Sequence, residues 1–552
     1  MSESHFDFVL EERTELTDPS KVLAGLGISA RSTDCQVTSV RVSMRDGVEL
    51  GAEHYAPMGD APAPTILVRS PYGRGFPYDL LLARVFAGAG YHVLLQSCRG
   101  TADSEGQLNP MVQEAADGLD TVEWLRRQPW FDGRLGLLGM SYLAYCVYAL
   151  LRDPPEEVKA AVIVVGPYDF GRHFVGTGAF TVQESLGWSD LVRRKTPGQP
   201  VELPADAARR LPLLAGAELL GANAPWYADW TRHPDAADPF WRPYDHSQAL
   251  RRSTAPTLLI GGSYDVFLPQ TLHAFRTLSA RGVDTALTLG PWVHTDVVGP
   301  AAAVMVDEAQ SWFNDHLRDG VAESDRPKVR IHVGGTDEWR ELADLPRATE
   351  HWELRPDASG SLIPDGDASI WPSTSTFTYD PADPTPTVGG RRVAPDGGAG
   401  DNTAREQRDD VMTFSTAPLQ HPLEITGTPT LILGLRSDHA HADLHARLCV
   451  VDESGGSVNV SDGMLRLPVV AEPQRLREIE LILDFCVHRI AAGQRIRLQI
   501  SGGSFPEYDR NLGTGEAPAT GTGLATTTYT VDHGTTLLTL PVNEARQRRF
   551  GA

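Results

Sequence analysis

Four short apolar runs, "TILVRS", "YHVLLQS", "LGLLGM" and "AAVIVVG", lie between Thr65 and Gly166, separated by helical stretches such as "YDLLLARVFAGAG" and "AADGLDTVEWLRRQPW". A strand that is apolar on both faces has no solvent side. Such strands alternating with helices therefore predict a parallel sheet covered by helices on both faces, which makes the chain an α/β protein. Upstream, "VTSVRVSMRDGVELGAEHYAP" alternates apolar and polar residues around Asp46-Gly47, so the chain is expected to open with an antiparallel hairpin.

The strand and helix rhythm stops over 169–252, in a segment rich in Trp, Pro, Arg and Leu that includes "ESLGWSDLVRRK", and this reads as a helical insertion. It resumes with "APTLLIGG", "LPQTLHAFRTLSARG", "TALTLGPW" and "DEAQSWFNDHLRDG". Beyond residue 322, short alternating runs ("KVRIHVGG", "TPTLILGLRS", "HARLCVVD", "QRIRLQISGG") with Gly, Pro, Thr and Asp turns predict an antiparallel β-sandwich. The expected organisation is an N-terminal extension (1–35), an α/β core in two parts (36–168 and 253–322), a cap insertion (169–252) and a C-terminal sandwich (323–552). The tract "PADPTPTVGGRRVAPDGGAGDN" (381–402) is expected to be a long surface loop.

With 72 Asp and Glu against 49 Lys and Arg, the 552-residue chain carries a net charge of -23, which disfavours nucleic acid and anionic membrane surfaces as partners. The start, "MSESHFDFVLEERTELTDPSKV", has acids where a signal peptide needs a basic segment, and a cytoplasmic setting is expected. Cys35, Cys98, Cys146, Cys449 and Cys486 are scattered without a C-x-x-C pair, so reduced thiols are expected and the Asn459 sequon should be idle.

"LGLLGMSYLAYCVYALL" puts a serine two residues after a glycine, between an apolar strand and a helix. A nucleophilic serine on such a turn needs a base, a carboxylate to orient the base, and donors for an oxyanion. In a parallel sheet these groups gather at the carboxyl ends of the strands, in the chain order Ser, acid, His. Asp265 follows "TLLIGG" and His294 follows "TLGPW", each at a predicted strand end in that order. Ser141 alone leaves nucleophile and core serine open, because Leu143 stands where G-x-S-x-G has its second glycine. The three residues together point to a serine hydrolase.

"SPYGR" (70–74), "GMSYLA" (139–144), "GGSYDVF" (261–267), "GPWVHT" (290–295) and "SWFNDHLRDG" (311–320) resemble the cocaine esterase family of serine hydrolases, kin of the X-Pro dipeptidyl peptidases. The resemblance spans nearly the whole chain. It implies an α/β-hydrolase core, an inserted helical cap and a C-terminal jelly roll. It makes Ser141 the nucleophile, His294 the general base and Asp265 the orienting acid, with the Tyr142 backbone N–H and the Tyr72 phenol as the oxyanion hole. It also assigns Phe267 and Trp188 to the acyl pocket. The family carries a tryptophan earlier in the cap where this sequence has His173, and a glycine where it has Ala144.

The activity so implied is cleavage of a small-molecule ester or amide through an acyl-enzyme, with no cofactor and no metal; homo-oligomerisation is left open. An X-Pro dipeptidyl peptidase would need a cap acid for a free amine, for which Asp190 and Glu184 are available. An acyltransferase would use the same triad. A binding protein built on the sandwich is the non-enzymatic alternative. Asp438, His439, His441, Asp443 and His445 in "SDHAHADLHARL" form a competing metal-site pattern, because His439, His441, Asp443 and His445 would share one face of a strand.

Overall fold

In the computed structural model, which describes residues 18–543 apart from 30, 60, 195–202, 320–324, 367–372 and 394–395, Gly47 takes φ 86° at a tight turn. That turn joins β1 (Cys35–Ser43) to β2 (Glu49–Pro57) in the antiparallel hairpin the alternation predicts. Residues 1–17 of the expected N-terminal extension lie outside the described residues.

The apolar runs become β3 (Ala63–Ser70), β4 (His92–Ser97), β5 (Phe131–Met140) and β6 (Val158–Val164), followed after the insertion by β7 (Thr257–Tyr264) and β8 (Thr285–Val293). These six strands pair in parallel in the order β4-β3-β5-β6-β7-β8, and β2 joins β4 antiparallel. Alternate residues enter different cores: Leu138, Val162 and Ile260 face one side, while Leu137, Ile163 and Leu259 face the other. Burial of each such side chain contributes about 1.5–3 kcal/mol, which accounts for apolar residues at consecutive positions.

Helices α1 (Glu114–Leu125) and α2 (Tyr142–Leu151) follow β4 and β5. Between β6 and β7 the chain runs through α3 (Phe170–Val175), α4 (Val182–Arg194), α5 (Ala215–Leu220), α6 (Trp226–Arg232) and α7 (Gln248–Arg252). Aromatic residues of this insertion, including Phe174, Trp226, Trp230 and Trp241, form one buried cluster with Tyr142 and Phe267 of the core. The insertion thus roofs the carboxyl ends of β5 and β7. α8 (Leu268–Ala280) and α9 (Ala302–Leu317) complete the cover of the sheet.

The sheet runs past the boundary expected at residue 323. β9 (Val329–His332), within "KVRIHVGG", pairs parallel with β8, and β10 (Trp339–Leu342) pairs with β9. Alternation marks a half-buried strand but not the sheet it joins. The remaining strands form an eight-stranded and a four-stranded antiparallel sheet around a core that includes Leu431, Leu433, Leu444, Leu498, Tyr529 and Leu538.

The 381–402 tract is not a surface loop. Thr385 and Asn402 are 0% exposed and Arg392 is 5% exposed. Polar side chains elsewhere in the C-terminal region satisfy it: Arg447 donates to Asn402 Oδ1 (2.8 Å), Thr385 donates to Asp410 (2.7 Å), and Arg391 donates to Asp484 (2.5 Å). Arg391 also donates to the Val266 carbonyl of the core (3.0 Å), and the Tyr264 hydroxyl donates to the Asn459 carbonyl (3.3 Å). The Asn459 side chain is buried and hydrogen-bonded to Gly398 and Gly400.

Candidate active site

Ser141 stands between β5 and α2 with φ 54° and ψ -125°, in a region non-glycine residues rarely enter. Its N–H bonds the Val164 carbonyl of β6 (3.0 Å), and its own carbonyl accepts from Ala144 and Tyr145, so the strained residue is fixed from both sides. Gly139 makes the turn sterically feasible: a Cβ there would lie 2.2 Å from the Leu143 carbonyl oxygen.

The ends of β7 and β8 bring Asp265 and His294 to this serine. His294 Nε2 lies 2.8 Å from Ser141 Oγ, and Nδ1 lies 2.7 Å from Asp265 Oδ1. Asp265 is 0% exposed and His294 is 4% exposed. An ionised carboxylate can only accept, so Nδ1 carries the proton and Nε2 offers its lone pair to the hydroxyl. The other Asp265 oxygen accepts from the Phe267 N–H (3.2 Å), which anchors the carboxylate at a second point. This chain of hydrogen bonds can move a proton from a hydroxyl to an imidazole.

Tyr72 and Tyr142 adjoin the serine from two other elements. The Tyr72 hydroxyl, beyond the end of β3, accepts from Trp188 Nε1 (2.9 Å). Burial raises its phenol pKa, with Trp188 and the nearby Ser141 hydroxyl pulling the other way, so the phenol stays protonated. Tyr142 begins α2, and its N–H has no carbonyl partner within that helix. Its phenol donates to Glu114 (2.8 Å) and accepts from the Met111 N–H (2.7 Å). Trp188 of α4 stacks on the Tyr142 ring at 5.7 Å and 9°.

Phe267 packs edge-on to His294 (5.4 Å between centroids) and to His173 (4.7 Å). His173 Nε2 lies 2.9 Å from Glu184 Oε1, which brings that cap acid toward the site. Asp190 is placed differently. Both its oxygens accept from guanidinium groups, Arg193 Nε at 2.8 Å and Arg194 Nε at 2.8 Å.

The histidine-rich segment does not form the expected face. Its strand begins at Asp443, so His439 and His441 precede it, and the Asp443 carboxylate is taken by Arg466 (2.9 Å) and Asn511 (2.7 Å). His445 is buried, and burial together with Arg405 and Arg447 pushes its pKa well down. Two guanidinium groups beside it oppose a cation.

Among the described residues, the side chains that converge as metal ligands would are instead Cys98, Glu114 at the start of α1 and Cys146 of α2. Arg69 lies 3.0 Å from Glu114, and burial raises both thiols, so positive charge and protonated sulfur already occupy this group. Glu114 acts on the site by holding the Tyr142 phenol, a role its helix-start position did not disclose. The only sequence signal was Arg69 ending an otherwise apolar strand.

A family model for the X-Pro dipeptidyl-peptidase (S15 family) matches residues 46–296, and one for the X-Pro dipeptidyl-peptidase C-terminal non-catalytic domain matches 320–538. The chain is 32% identical to the cocaine esterase of Rhodococcus sp. (strain MB1 Bresler), over 87% of this chain and 92% of that one. Its fold is that of an α-amino acid ester hydrolase (TM-score 0.82, 23% identity, 94% of this chain and 98% of that one). An aminopeptidase from a marine sediment Thaumarchaeota archaeon is equally similar in fold (TM-score 0.82, 22% identity, 93% and 98% covered).

Proposed function

The chain belongs to the X-Pro dipeptidyl-peptidase (S15) family of serine hydrolases that includes cocaine esterase, and on that footing we propose that Ser141, His294 and Asp265 are its catalytic triad and cleave a small-molecule ester or amide. The observation that carries the reading is the unbroken chain of hydrogen bonds from Asp265 through His294 to Ser141. Ser141 Oγ attacks the carbonyl carbon as its proton passes to His294 Nε2, and Asp265 stabilises the imidazolium. The carbonyl oxygen, now an oxyanion, accepts from the Tyr72 O–H and the Tyr142 N–H. The tetrahedral intermediate expels the alcohol or amine, which takes the proton from His294. Water then attacks the acyl-enzyme by the same route and releases the acid.

The ester reading is preferred over a dipeptidyl peptidase because both cap acids that could bind a free amine already have partners, Asp190 in Arg193 and Arg194 and Glu184 in His173 (2.9 Å). Phe267, Trp188 and His173 form the acyl pocket in this reading. The cytoplasmic setting is retained, supported by five free cysteines, two of them unbridged at 3.9 Å. Among the described residues no helix is long and apolar enough to cross a membrane.

The test is labelling with a fluorophosphonate. Wild type should label, and Ser141→Ala and His294→Ala should not. Labelling that persists in folded Ser141→Ala would remove the reading. Acyl-enzyme turnover that requires an added amine or alcohol would replace hydrolysis with acyl transfer.

A further inference from the structure

Trp188 has so far entered only as a wall of the acyl pocket, yet its polar atom does not face a pocket. Its Nε1–H donates to the Tyr72 hydroxyl oxygen at 2.9 Å. We infer that Trp188 is a positioning residue of the oxyanion hole, through which the cap directs the Tyr72 O–H toward the reacting carbonyl. The inference rests on the triad and oxyanion reading above.

The argument begins with hydrogen-bond capacity. An indole N–H can only donate, whereas a phenol donates one proton and accepts on its oxygen. A phenolic O–H prefers the ring plane, where it has two orientations. With the indole N–H occupying one side of the oxygen, the proton takes the other. Without the indole both orientations are open, and only one serves an oxyanion. A donor on the phenol oxygen also polarises its O–H and strengthens the bond that O–H makes.

The indole is itself held. Its ring lies flat on Tyr142, whose hydroxyl is bound by Glu114 and Met111, so one tryptophan touches the residues that supply both proposed oxyanion donors. Its helix is fastened by the bond from Trp226 Nε1 to Ser189 Oγ (3.0 Å) and by the bond from the Gln183 N–H to the Pro506 carbonyl (3.1 Å). The hole is therefore complete only when α4 is seated on the core, and the cap contributes to the chemical step as well as to substrate shape.

The experiment is a double-mutant cycle on hydrolysis of a p-nitrophenyl ester. Tyr72→Phe should lower kcat by about 100-fold or more, the usual effect of losing an oxyanion donor. Trp188→Phe, which keeps an aromatic ring over Tyr142, should lower kcat by about 10-fold with KM within about twofold, and should add less than about twofold in the Tyr72→Phe background. Equal losses in both backgrounds, or a rise in KM alone, would make Trp188 a pocket wall and overturn the inference. Tyr72→Phe at full activity would instead remove the oxyanion reading on which the inference stands. Should Trp188→Phe fail to fold, the benzothiophene analogue of tryptophan at position 188, which replaces N–H by sulfur at constant shape, must give the same kcat loss.

Discussion

Adding one methyl at Gly139 tests whether the turn geometry at Ser141 sets the rate. In Gly139→Ala the new Cβ would lie 2.2 Å from the Leu143 carbonyl oxygen, 2.3 Å from its carbon and 2.5 Å from the Ala144 nitrogen, all backbone atoms that cannot rotate away. Non-bonded contacts need about 3.5 Å, so the first turn of α2 must retreat by about 1 Å and carry the Tyr142 N–H with it. A displacement of that size at a reacting centre costs about 100-fold in rate, or about 2.7 kcal/mol of barrier. Overpacking should lower stability by about 1–3 kcal/mol at the same time. The assay is kcat/KM on a p-nitrophenyl ester beside the rate of fluorophosphonate labelling and a thermal melt. Both rates should fall together, because phosphonylation uses the same serine and the same oxyanion donors. Rates within about threefold of wild type, in a protein that melts at the same temperature, would show that the close approach at Gly139 does not govern the site.

Three further outcomes follow from neighbouring features. A Cβ at Gly166 would lie 2.4 Å from the Ala144 Cβ, so Gly166→Ala should cost about 1–3 kcal/mol and be partly rescued by Ala144→Gly, as urea melts of the double mutant would report. Glu114→Ala strands the buried Arg69 guanidinium and should cost about 3–5 kcal/mol in the same assay; a loss below about 1 kcal/mol would mean that Arg69 finds another partner. His246, 1% exposed, has its pKa lowered from 6.5 to about 4, first by burial and then by the charge of Arg152. The fold thus favours its neutral form, so stability is full above about pH 6.5 and falls as pH drops toward 4. The contribution is about 2 kcal/mol between pH 7 and 5, and His246→Gln should flatten the stability profile by that amount.

What could be read from residues alone was whatever the local pattern determines. The parallel sheet was legible because burial on both faces leaves no position for a polar residue, and Ser141, Asp265 and His294 were legible because strand ends in a fixed chain order converge by topology. The roles of Glu114 and Arg69 were hidden, since a charged residue at a helix start or strand end looks the same whether it caps, faces solvent or holds a tyrosine. Trp188 was read as an aromatic of the proposed acyl pocket, but the partner of its N–H depends on how the cap docks. Composition misled over 381–402, where Pro and Gly suggested exposure and the buried Arg447 together with the Asp410 and Asp484 carboxylates supplied the missing hydrogen bonds. In the histidine-rich segment, alternation was assumed four residues before the strand begins at Asp443.

The contacts of Arg391 with Val266 and of Tyr264 with Asn459 bear on how such a chain could be recombined. Val266 and Tyr264 flank Asp265, so the C-terminal module braces the loop that carries the proposed acid. A chimera that takes this module from one relative and the hydrolase core from another would inherit mismatched supports on either side of that carboxylate. Exchange should succeed when the 261–267 segment, the end of β7 and the turn after it, travels with the module, which makes a remote structural domain and a seven-residue segment one heritable unit.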